Sequence, residues 1–552
     1  MSLFPLGRMF DELLWADGHF GLEAFTRFAA TPGIGATILR TAVLVGVASV
    51  FAVLIGGVIA YLNERTDARM GMVTDTLPFL PFLIPGVAGA VGWVLLLSPQ
   101  AGFLNAVIRW LLDFVGIHLE SGPIDVYSYS GLAIVYTIYL VPFAFLIISA
   151  GLRNMDTQLE EQSRICGASQ FRTLRKVVLP AMAPSIAAAF LLVVWNGFGM
   201  YSVPSVIGES GGARIMSVEV VSLLNFTFPP QYGPAIVLSL VMVGFVGVLW
   251  YLQTRVLTRS RDSAVAGRGQ RAPRIALGRW RLPVRIALLL YVGAVTVLPI
   301  GAMVLVMLNG FWTTHIRMDN LSLAAFREAI FDNPQTQLAL KDSFGLALAG
   351  ATLAVLIAVL VSTVVVRSRS RWTRTADGLL KLPAVISHLV LAIGFVLAFA
   401  GPPFRLGGTW TILFIAYVSM FVPQGTLATD PVAVQVGGEL NEASRMSGAH
   451  GWRTFRKIFF PLMVPGMAIG WALIFVRILG DLEVSQMAAG SGNPTIGSQM
   501  LVLYTAGTFS DVAALSVVLV VATSVIVGGV LLLARRGSRW AIGETPTGVT
   551  GP

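Results

Sequence analysis

Long apolar stretches separated by short polar segments dominate the chain. Eleven stretches of 18 to 25 residues carry few charges, and a transmembrane helix needs about 20 apolar residues. They lie at 38–62, 76–98, 129–150, 182–203, 234–254, 284–308, 344–366, 382–400, 410–428, 464–481 and 511–534. The short alternating segments typical of an outer-membrane barrel do not occur. The pattern predicts an all-α polytopic membrane protein with about 11 transmembrane helices.

The composition agrees with this prediction and excludes a soluble enzyme. Of the 552 residues, 55% are hydrophobic and 12% are charged, whereas soluble domains contain about 25% charged residues. The single cysteine, Cys166, excludes an internal disulfide and a metal or iron–sulfur site with several cysteine ligands. None of the lysines follows a glycine, as the lysine of a phosphate-binding P-loop does. We therefore expect no bound cofactor and no ATPase site in this chain.

The basic residues that produce the net charge of +10 are unevenly distributed. Of the 38 basic residues, 28 lie in 63–75, 151–181, 255–285, 367–381, 430–461 and the tail after 534. Because cytoplasmic loops are rich in Lys and Arg, this side is predicted to be cytoplasmic, with the C-terminus inside and the N-terminus outside. A nucleic-acid-binding arm at 255–285 is the alternative, but the charge follows topology, so no nucleic-acid partner is expected.

A twenty-residue segment occurs twice. EQSRICGASQFRTLRKVVLP (161–180) aligns without gaps on EASRMSGAHGWRTFRKIFFP (442–461) at an offset of 281, with ten identical positions. At the offset of 281, Tyr136 also matches Tyr417, and Pro184 matches Pro465. Further upstream the offset is 302, and Pro81 matches Pro383 and Gly92 matches Gly394. Six predicted crossings separate the two copies, so both face the same side and the repeat is parallel.

The repeat defines the predicted domain organisation. The first domain, 1–257, contains the first loop (155–182), and the second domain, 284–536, contains the second loop (436–463). Residues 258–283, rich in Pro, Arg and Gly, are predicted to form a cytoplasmic linker, and 537–552 a cytoplasmic tail.

Five positions recur in the two loops. They are Glu161 and Glu442, Gly167 and Gly448, Ala168 and Ala449, Arg172 and Arg453, and Pro180 and Pro461. An acid suits the start of a helix, and a glycine lets the backbone bend or a partner approach closely. The arginine places charge on the next helix, and the proline is predicted to end that helix before the following span. The pattern predicts a helix–glycine–helix plug for a cytoplasmic partner; the alternative is an amphipathic helix on lipid headgroups.

The acidic residue, the Gly-Ala six residues later and the proline thirteen residues after the glycine resemble the "EAA" loop of ABC importer permeases. Two such loops in one chain resemble the fused, double-domain permeases of the ferric-iron, thiamine and aminophosphonate importers, over nearly the whole chain. The departures are small: the two alanines that follow the glutamate in the family are Gln162-Ser163 in the first loop and Ala443-Ser444 in the second.

The resemblance implies a fold of two parallel-repeat type I ABC importer permease domains in the bacterial cytoplasmic (inner) membrane. Each loop would dock on one of two copies of a cytoplasmic ATPase, through Glu161, Gly167, Glu442 and Gly448. ATP would bind those partners, and an extracytoplasmic solute-binding protein would deliver a small solute, with ferric iron the best guess. Transport would proceed by alternating access. The rival interpretation is a proton- or ion-coupled secondary transporter that uses groups such as Asp481.

Charged side chains inside a predicted span are functional candidates, because their burial in a membrane is costly. The clearest are Arg477, Asp481 and Glu483, and Arg477 can pair with Asp481 four residues later on a helix. The first half has Asn196 at the position of Arg477, so a pathway between the halves need not be symmetric. Two interpretations remain open: a pair that locks the helix, or side chains that line the pathway. His388 is predicted to make an interhelical contact rather than bind a ligand.

The N-terminus resembles the end of a helix in the second half. LFPLGRM at the start of the chain matches VLPIGAM, so that Pro5 corresponds to Pro299 and Phe25 to Phe326. Either the start codon is placed too far downstream or the protein has five plus six helices; the sequence leaves both open.

Overall fold

The computed structural model describes residues 3–16, 19–70, 84–208, 211–258, 274–314, 321–367, 370–384, 386–435, 450–454 and 459–541, with the isolated residues 81, 316, 319, 444, 446 and 456. The helices up to residue 258 are α1 Leu3–Leu14, α2 Glu23–Ala30, α3 Ile34–Arg65, α4 Gly86–Leu97, α5 Phe103–Phe114, α6 Tyr129–Asn154, α7 Gln158–Ile165, α8 Gln170–Thr173, α9 Leu179–Gly199, α10 Ser202–Ile207, α11 Met216–Asn225 and α12 Tyr232–Thr258. Two strands, β1 Trp15–Ala16 and β2 His19–Phe20, pair after α1.

The helices of the second half begin at Arg281. They are α13 Arg281–Asn309, α14 Ala324–Arg327, α15 Pro334–Arg367, α16 Arg371–Lys381, α17 His388–Phe399, α18 Trp410–Gln435, α19 Gly451–Thr454, α20 Phe460–Leu479, α21 Glu483–Ala488, α22 Ile496–Thr505 and α23 Phe509–Ala541. Short π-helical segments occur at Leu174–Val178 and Glu328–Asp332, and 3-10 turns at Gly278–Trp280 and Leu382–Ala384.

Within the described residues, nine helices are long and apolar enough to cross a membrane. They are Ile34–Arg65, Tyr129–Asn154, Gln170–Gly199, Tyr232–Arg255, Gly278–Asn309, Pro334–Val365, Trp410–Asp430, Phe460–Leu479 and Phe509–Val530. Each overlaps one of the predicted spans. The predicted all-α polytopic class is therefore confirmed.

The other two predicted spans contain shorter helices at matching places of the repeat. α4 and α17 have 12 residues each, or about 18 Å at 1.5 Å per residue, against a bilayer core of about 30 Å. In the second half, a 3-10 turn that contains Pro383 precedes α17, which therefore begins at His388 rather than at the start of the predicted span. Proline lacks the N–H that a helix interior needs, which explains the interruption. Residues 71–80 of the first half lie outside the described residues.

The chain forms two compact units that do not follow the order of the sequence. One comprises Phe20–Ala325, and the other combines Met1–His19 with Phe326–Pro552. In the first, α3 packs on α6 and α9, and α13 covers α4. In the second, α15 packs on α18 and α20, and α1 covers α17. Each unit thus completes its core with a helix that the chain order assigns to the other half.

The helices that cover α4 and α17 make equivalent contacts. A Cβ on Gly92 of α4 would lie 2.7 Å from the Cβ of Pro299, and a Cβ on Gly394 of α17 would lie 3.1 Å from the carbonyl oxygen of Pro5. Both glycines are therefore required by close approach of the covering helix. The contacts support the two sequence pairings, Pro5 with Pro299 and Gly92 with Gly394.

The crossing of α3 and α6 in the first unit recurs as the crossing of α15 and α18 in the second. Each crossing has one glycine and one alanine, but the two residues are on opposite helices in the two units. Where α3 meets α6, a Cβ on Gly56 would lie 2.8 Å from the Cβ of Ala144. Where α15 meets α18, a Cβ on Gly425 would lie 2.8 Å from the Cβ of Ala358. One glycine and one alanine bring the helices together in each unit, as is common in membrane proteins.

The end of the predicted linker is attached to the loop after α3. The N–H of Ile275 donates to the Arg65 carbonyl at 2.8 Å, and the N–H of Asp67 donates to the Ile275 carbonyl at 3.1 Å. The Arg285 guanidinium donates to the carbonyls of Asp67, Ala68 and Arg69 at 3.0 to 3.2 Å. The linker thus ends in a fixed contact rather than as a loose tether.

A polar contact in the second unit joins α16 to α18. The Lys381 ammonium lies 2.8 Å from carboxylate oxygens of both Asp377 and Asp430. Burial acts to lower the pKa of Lys381, but hydrogen bonds to Asp377 and Asp430 outweigh it and raise the pKa above its ordinary value. The contact fixes the connection between α15 and α17.

Candidate functional site

The first loop folds as two short helices around a glycine turn. Gly167 follows α7 with a φ of +81°, a conformation that side chains with a Cβ rarely adopt. The Gly167 N–H donates to the Arg164 carbonyl at 2.9 Å, and the Ala168 N–H to the Ser163 carbonyl at 3.1 Å. This pair of bonds is the Schellman ending of a helix. The glycine therefore shapes the turn, in agreement with the bend that its position predicts.

The outer surface of the first loop is unusually apolar for an exposed segment. Ile165 and Phe171, on either side of the turn, are 85% and 72% exposed, and Leu159 is also exposed. Glu161 and Arg172 are exposed beside them. Exposed large apolar side chains rimmed by charge are typical of a surface that binds another protein.

The inner surface of the same loop is held by a buried ion pair that sequence reasoning missed. A carboxylate oxygen of Glu160 lies 2.8 Å from Nε of Arg65, and both side chains are about 5% exposed. Arg65 also donates to the Leu152 carbonyl at 2.9 Å. The acidic doublet at the start of α7 thus divides its roles: Glu160 points inward and Glu161 outward. The signal that the sequence offered was an arginine at the end of α3, which is distant from the loop in the chain.

A hydrogen bond between side chains is common to the two loops. Ser163 and Thr173 join their hydroxyls at 2.9 Å, and Ser444 and Thr454 do so at 2.7 Å. These serines replace the second alanine of the family pattern, so this departure from the pattern has a structural role in both copies. In the second loop, Glu442, Gly448 and Ala449 lie outside the described residues, and Arg453 is exposed.

The prolines that close the loops do not end a helix. Pro180 and Pro461 are the second residues of α9 and α20, and from Gln170 to Gly199 the chain is helical throughout. The prediction of a stop was therefore wrong. A π-helical segment, Leu174–Val178, precedes Pro180 and widens the turn whose hydrogen bond the proline cannot make. The loop consequently continues directly into a span.

The charged residues of the second unit surround a capped aspartate. Asp481 is buried, and its Oδ2 accepts hydrogen bonds from the Tyr417 hydroxyl at 2.9 Å and from the N–H groups of Val484 and Ser485 at 3.0 and 3.1 Å. The carboxylate thereby caps the start of α21. Oδ2 is thus used by the fold.

The predicted ion pair between Arg477 and Asp481 is absent from the described residues. α20 ends at Leu479, so the two residues do not share a helix, and Arg477 is exposed whereas Asp481 is buried. The helical spacing that suggested the pair stops before it reaches the aspartate.

His388 and Glu483 meet between two short helices. The Nδ1 of His388, the first residue of α17, lies 3.6 Å from Oε2 of Glu483, the first residue of α21. The side chains are 13% and 18% exposed. The imidazole also packs on the Phe421 ring, 5.1 Å between centroids. The predicted interhelical contact of His388 is thus present.

The first unit builds the same scaffold without ionisable groups. Matched positions are Gly86 and His388, Asn196 and Arg477, Met200 and Asp481, Ser202 and Glu483, and Tyr136 and Tyr417. A Cβ on Gly86 would lie 3.0 Å from the Cβ of Ser202, so the backbone approach that joins α17 to α21 recurs between α4 and α10. The Tyr136 hydroxyl donates to the Met200 carbonyl at 3.4 Å, and Asn196 donates to its own helix.

Comparison with protein families agrees with the duplication. Residues 50–262 and 350–536 each match a family described as "Binding-protein-dependent transport system inner membrane component". The two matches contain the first and second loops.

Two known proteins are among those that are similar over most of the chain. The probable ABC transporter permease protein y4fN of Sinorhizobium fredii is 25% identical over 484 residues, 84% of this chain and 80% of that protein. The ferric transport system permease protein FbpB of Actinobacillus pleuropneumoniae is 22% identical over 491 residues, 86% of this chain and 68% of that protein.

Two further proteins are similar to less than half of this chain. The spermidine/putrescine permease PotC of Escherichia coli is 26% identical over 215 residues, 39% of this chain and 81% of that protein. A solved bacterial ABC transporter involved in the import of the acidic polysaccharide alginate has a TM-score of 0.37 and 16% identity, and covers 46% of this chain and 88% of that chain.

Proposed function

Because the chain belongs to the family of binding-protein-dependent transport system inner membrane components, we propose that it is the permease subunit of an ABC importer that works by alternating access. The observation that carries this proposal is the duplicated loop, whose first copy has exposed apolar residues on one surface and a buried ion pair that anchors it on the other. A surface that binds a partner must be accessible, and a loop that transmits motion must be fixed to the span beneath it.

We further propose that each loop docks on one copy of a cytoplasmic ATPase, which binds and hydrolyses ATP. Ile165 and Phe171 would enter an apolar groove of the partner, and Glu161 and Arg172 would pair with charges at its rim. An extracytoplasmic solute-binding protein would deliver the cargo on the opposite side. In the arrangement that we propose, the C-terminus would lie in the cytoplasm and the chain would span the bacterial inner membrane.

The cargo that we propose is ferric iron. The support is that the ferric permeases align over most of this chain, whereas the spermidine permease aligns over less than half.

Proteoliposomes test the transport mechanism. The tagged chain is reconstituted with the ATPase and the solute-binding protein that co-purify with it, and uptake of radioactive Fe(III) is measured. We expect uptake that requires ATP on the ATPase side and the binding protein on the other. Uptake by the chain alone, driven by a proton gradient, would establish the secondary transporter instead.

A further inference from the structure

The connection between α4 and α6 contains a helix that the second unit does not form. Residues 98–128 join α4 to α6, whereas 400–409 join the matched helices α17 and α18. The longer connection contains α5, a helix of 12 residues that is followed by a left-handed turn at Gly116, where φ is +85°. Because the second unit packs α17 and α18 without such a helix, α5 is not required by the packing of this pair.

The polar side of α5 is fixed to the end of α4. Asn105 is fully buried, and its amide nitrogen lies 2.7 to 3.0 Å from the carbonyl oxygens of Leu97, Ser98 and Ile124. The Ile124 N–H donates in return to Oδ1 of Asn105 at 3.3 Å. Leu97 is the last residue of α4, so these hydrogen bonds hold α5 beside the point where α4 ends.

Arg109 attaches the same side of α5 one turn later. Its guanidinium donates to the Gln100 carbonyl at 3.1 Å and to the Glu120 carbonyl at 3.5 Å. The Gly122 N–H also donates to the Pro99 carbonyl at 2.8 Å. The segment therefore leaves the end of α4 and returns to it, and the polar side of α5 is turned toward its own unit.

The apolar side of α5 is turned away from the unit. Its large exposed side chains share the i, i+3, i+4, i+7 spacing of one helix face. They are Val107 (51% exposed), Trp110 (68%), Leu111 (52%) and Phe114 (87%). A helix that borders water has the opposite orientation, with its apolar stripe toward the core. The orientation of α5 is therefore that of a helix with apolar surroundings.

The composition and the position of this face fit the bilayer better than a soluble protein. A surface that binds and releases a soluble partner is about as polar as the rest of a protein surface, whereas all four side chains of this face are apolar. The segment also lies next to a span, because α6 begins at Tyr129 and exposes Ile134 in its second turn. Lipid is the surrounding that such a span already has.

We propose that α5 is an interfacial helix whose apolar face lies among the acyl chains of the bilayer, at the membrane face opposite to the first loop. α6 connects the two, since α5 precedes its start and the first loop follows its end at Asn154. An amphipathic helix in this position buries its apolar side about 5–10 Å into the boundary of headgroups and acyl chains. Trp110 suits that boundary, where tryptophan is enriched.

Spin labelling of the full chain in nanodiscs of phosphatidylethanolamine and phosphatidylglycerol tests this contact. Cys166→Ser removes the single native cysteine, and Val107→Cys, Leu111→Cys or Phe114→Cys then places a nitroxide on the apolar face. Asp113→Cys is the matched control, because Asp113 is exposed on the same helix but lies outside that face. EPR power saturation compares collisions of the label with oxygen, which concentrates among acyl chains, and with a water-soluble nickel chelate.

We expect the ratio of oxygen to nickel collisions to be high at Val107, Leu111 and Phe114 and low at Asp113, following the helix period of 3.6 residues. Dominant nickel collisions at Val107 and Phe114 would overturn the lipid contact in favour of a water-exposed surface, as docking of a solute-binding protein requires. Few collisions with either reagent would overturn it in favour of a cover made of protein. Both results leave the importer proposal standing, because that proposal depends on the loops.

Photolabelling provides a second measurement on the chain without a substituted α5. Nanodiscs that contain a phospholipid with a diazirine on its acyl chain are irradiated, and the adducts are located by mass spectrometry. Adducts on 103–114 that are retained in Asp113→Lys and lost when Leu111→Lys is combined with Phe114→Lys support the contact. An unlabelled α5 in a sample whose α6 is labelled overturns it.

Discussion

Gly167 is the residue on which the shape of the first loop depends most directly. Its φ of +81° suits glycine, and a β-branched residue there is strained by about 1–3 kcal/mol. We expect Gly167→Val to distort the turn and uncouple the transporter, so that less solute is imported per ATP hydrolysed. The ratio of Fe(III) uptake to phosphate release in proteoliposomes measures this.

Cys166→Ser in the same turn is the matched control, because Cys166 is exposed and lies outside the left-handed region. It should leave the ratio unchanged. Gly448→Val in the second loop is expected to act as Gly167→Val does, since the sequence repeats. An unaltered ratio in both valine variants would contradict the coupling role of the loops.

Glu160 and Glu161 are neighbours with opposite environments, and the two substitutions should separate stability from coupling. Glu160→Gln leaves Arg65 buried and unpaired, which destabilises by about 3–5 kcal/mol. Glu161→Gln changes an exposed side chain and should alter stability by no more than about 0.5 kcal/mol. Glu160→Gln is therefore expected to lower the thermal unfolding temperature and Glu161→Gln to lower uptake alone. Equal melting temperatures would refute the anchoring role of Glu160.

The sequence pattern of the loop was sufficient to predict the role of Gly167 but not that of Glu160. A glycine six residues after an acid is visible in the sequence, and its positive φ is a property of the turn itself. The partner of Glu160 is Arg65, which lies in a different helix, and no spacing rule connects them. The predicted Arg477–Asp481 ion pair was wrong for a related reason, because α20 ends at Leu479, between the two residues. Nor did residue pattern reveal Tyr417 as the donor to Asp481.

At the scale of elements, the predicted spans were recognised by length and hydropathy, and nine helices in the described part of the chain agree with them. α4 and α17 show the limit of that method. Their apolar stretches are long enough to span a membrane, but Pro383 interrupts the second one before the helix begins. Hydropathy indicates which segments can be buried in a membrane, but it does not indicate where a proline removes a backbone hydrogen bond and interrupts the helix. Pro180 is the converse case, in which a π-helical segment lets the helix continue.

The connection between α16 and α18 provides a pH-dependent test. The folded pKa of Lys381 is raised above 10.5 by Asp377 and Asp430, so its contribution to stability is complete below pH 10.5 and is lost as pH rises through the folded pKa. Lys381→Met should therefore melt at a lower temperature than the unsubstituted protein at neutral pH. The difference between the two melting temperatures should shrink above about pH 10.5. A difference that stays constant with pH would show that the ammonium contributes by packing alone.

At the scale of the whole molecule, the two halves of the sequence are connected by more than the linker, because each half packs one helix into the unit that the other half mainly forms. α13 belongs by packing to the unit of Phe20–Ala325, and α1 to the unit that contains Phe326–Pro552. We expect two polypeptides, produced by a break within 259–273, to remain associated when purified through a tag on either piece. Each piece would carry a helix that completes the core of the other.

Gly92→Leu with Gly394→Leu is the variant that weakens this association. Each leucine would collide with the covering helix, at contacts that leave no room for a Cβ. The divided protein with both substitutions should separate on the affinity column, whereas the divided protein with Gly7→Ala should not, because Gly7 has nothing within 4 Å of its Cβ position. Separation of the unsubstituted pieces would contradict the exchange of helices.

The restriction of His388 and Glu483 to one repeat has a consequence for stoichiometry. A permease assembled from two copies of one polypeptide must carry every ionisable group twice, so any site within a subunit is duplicated in each transporter. A duplicated and fused chain is free of that constraint, and one copy can acquire charges while the other keeps Gly86 and Ser202. Fusion thus permits a single copy of a costly polar contact per transporter.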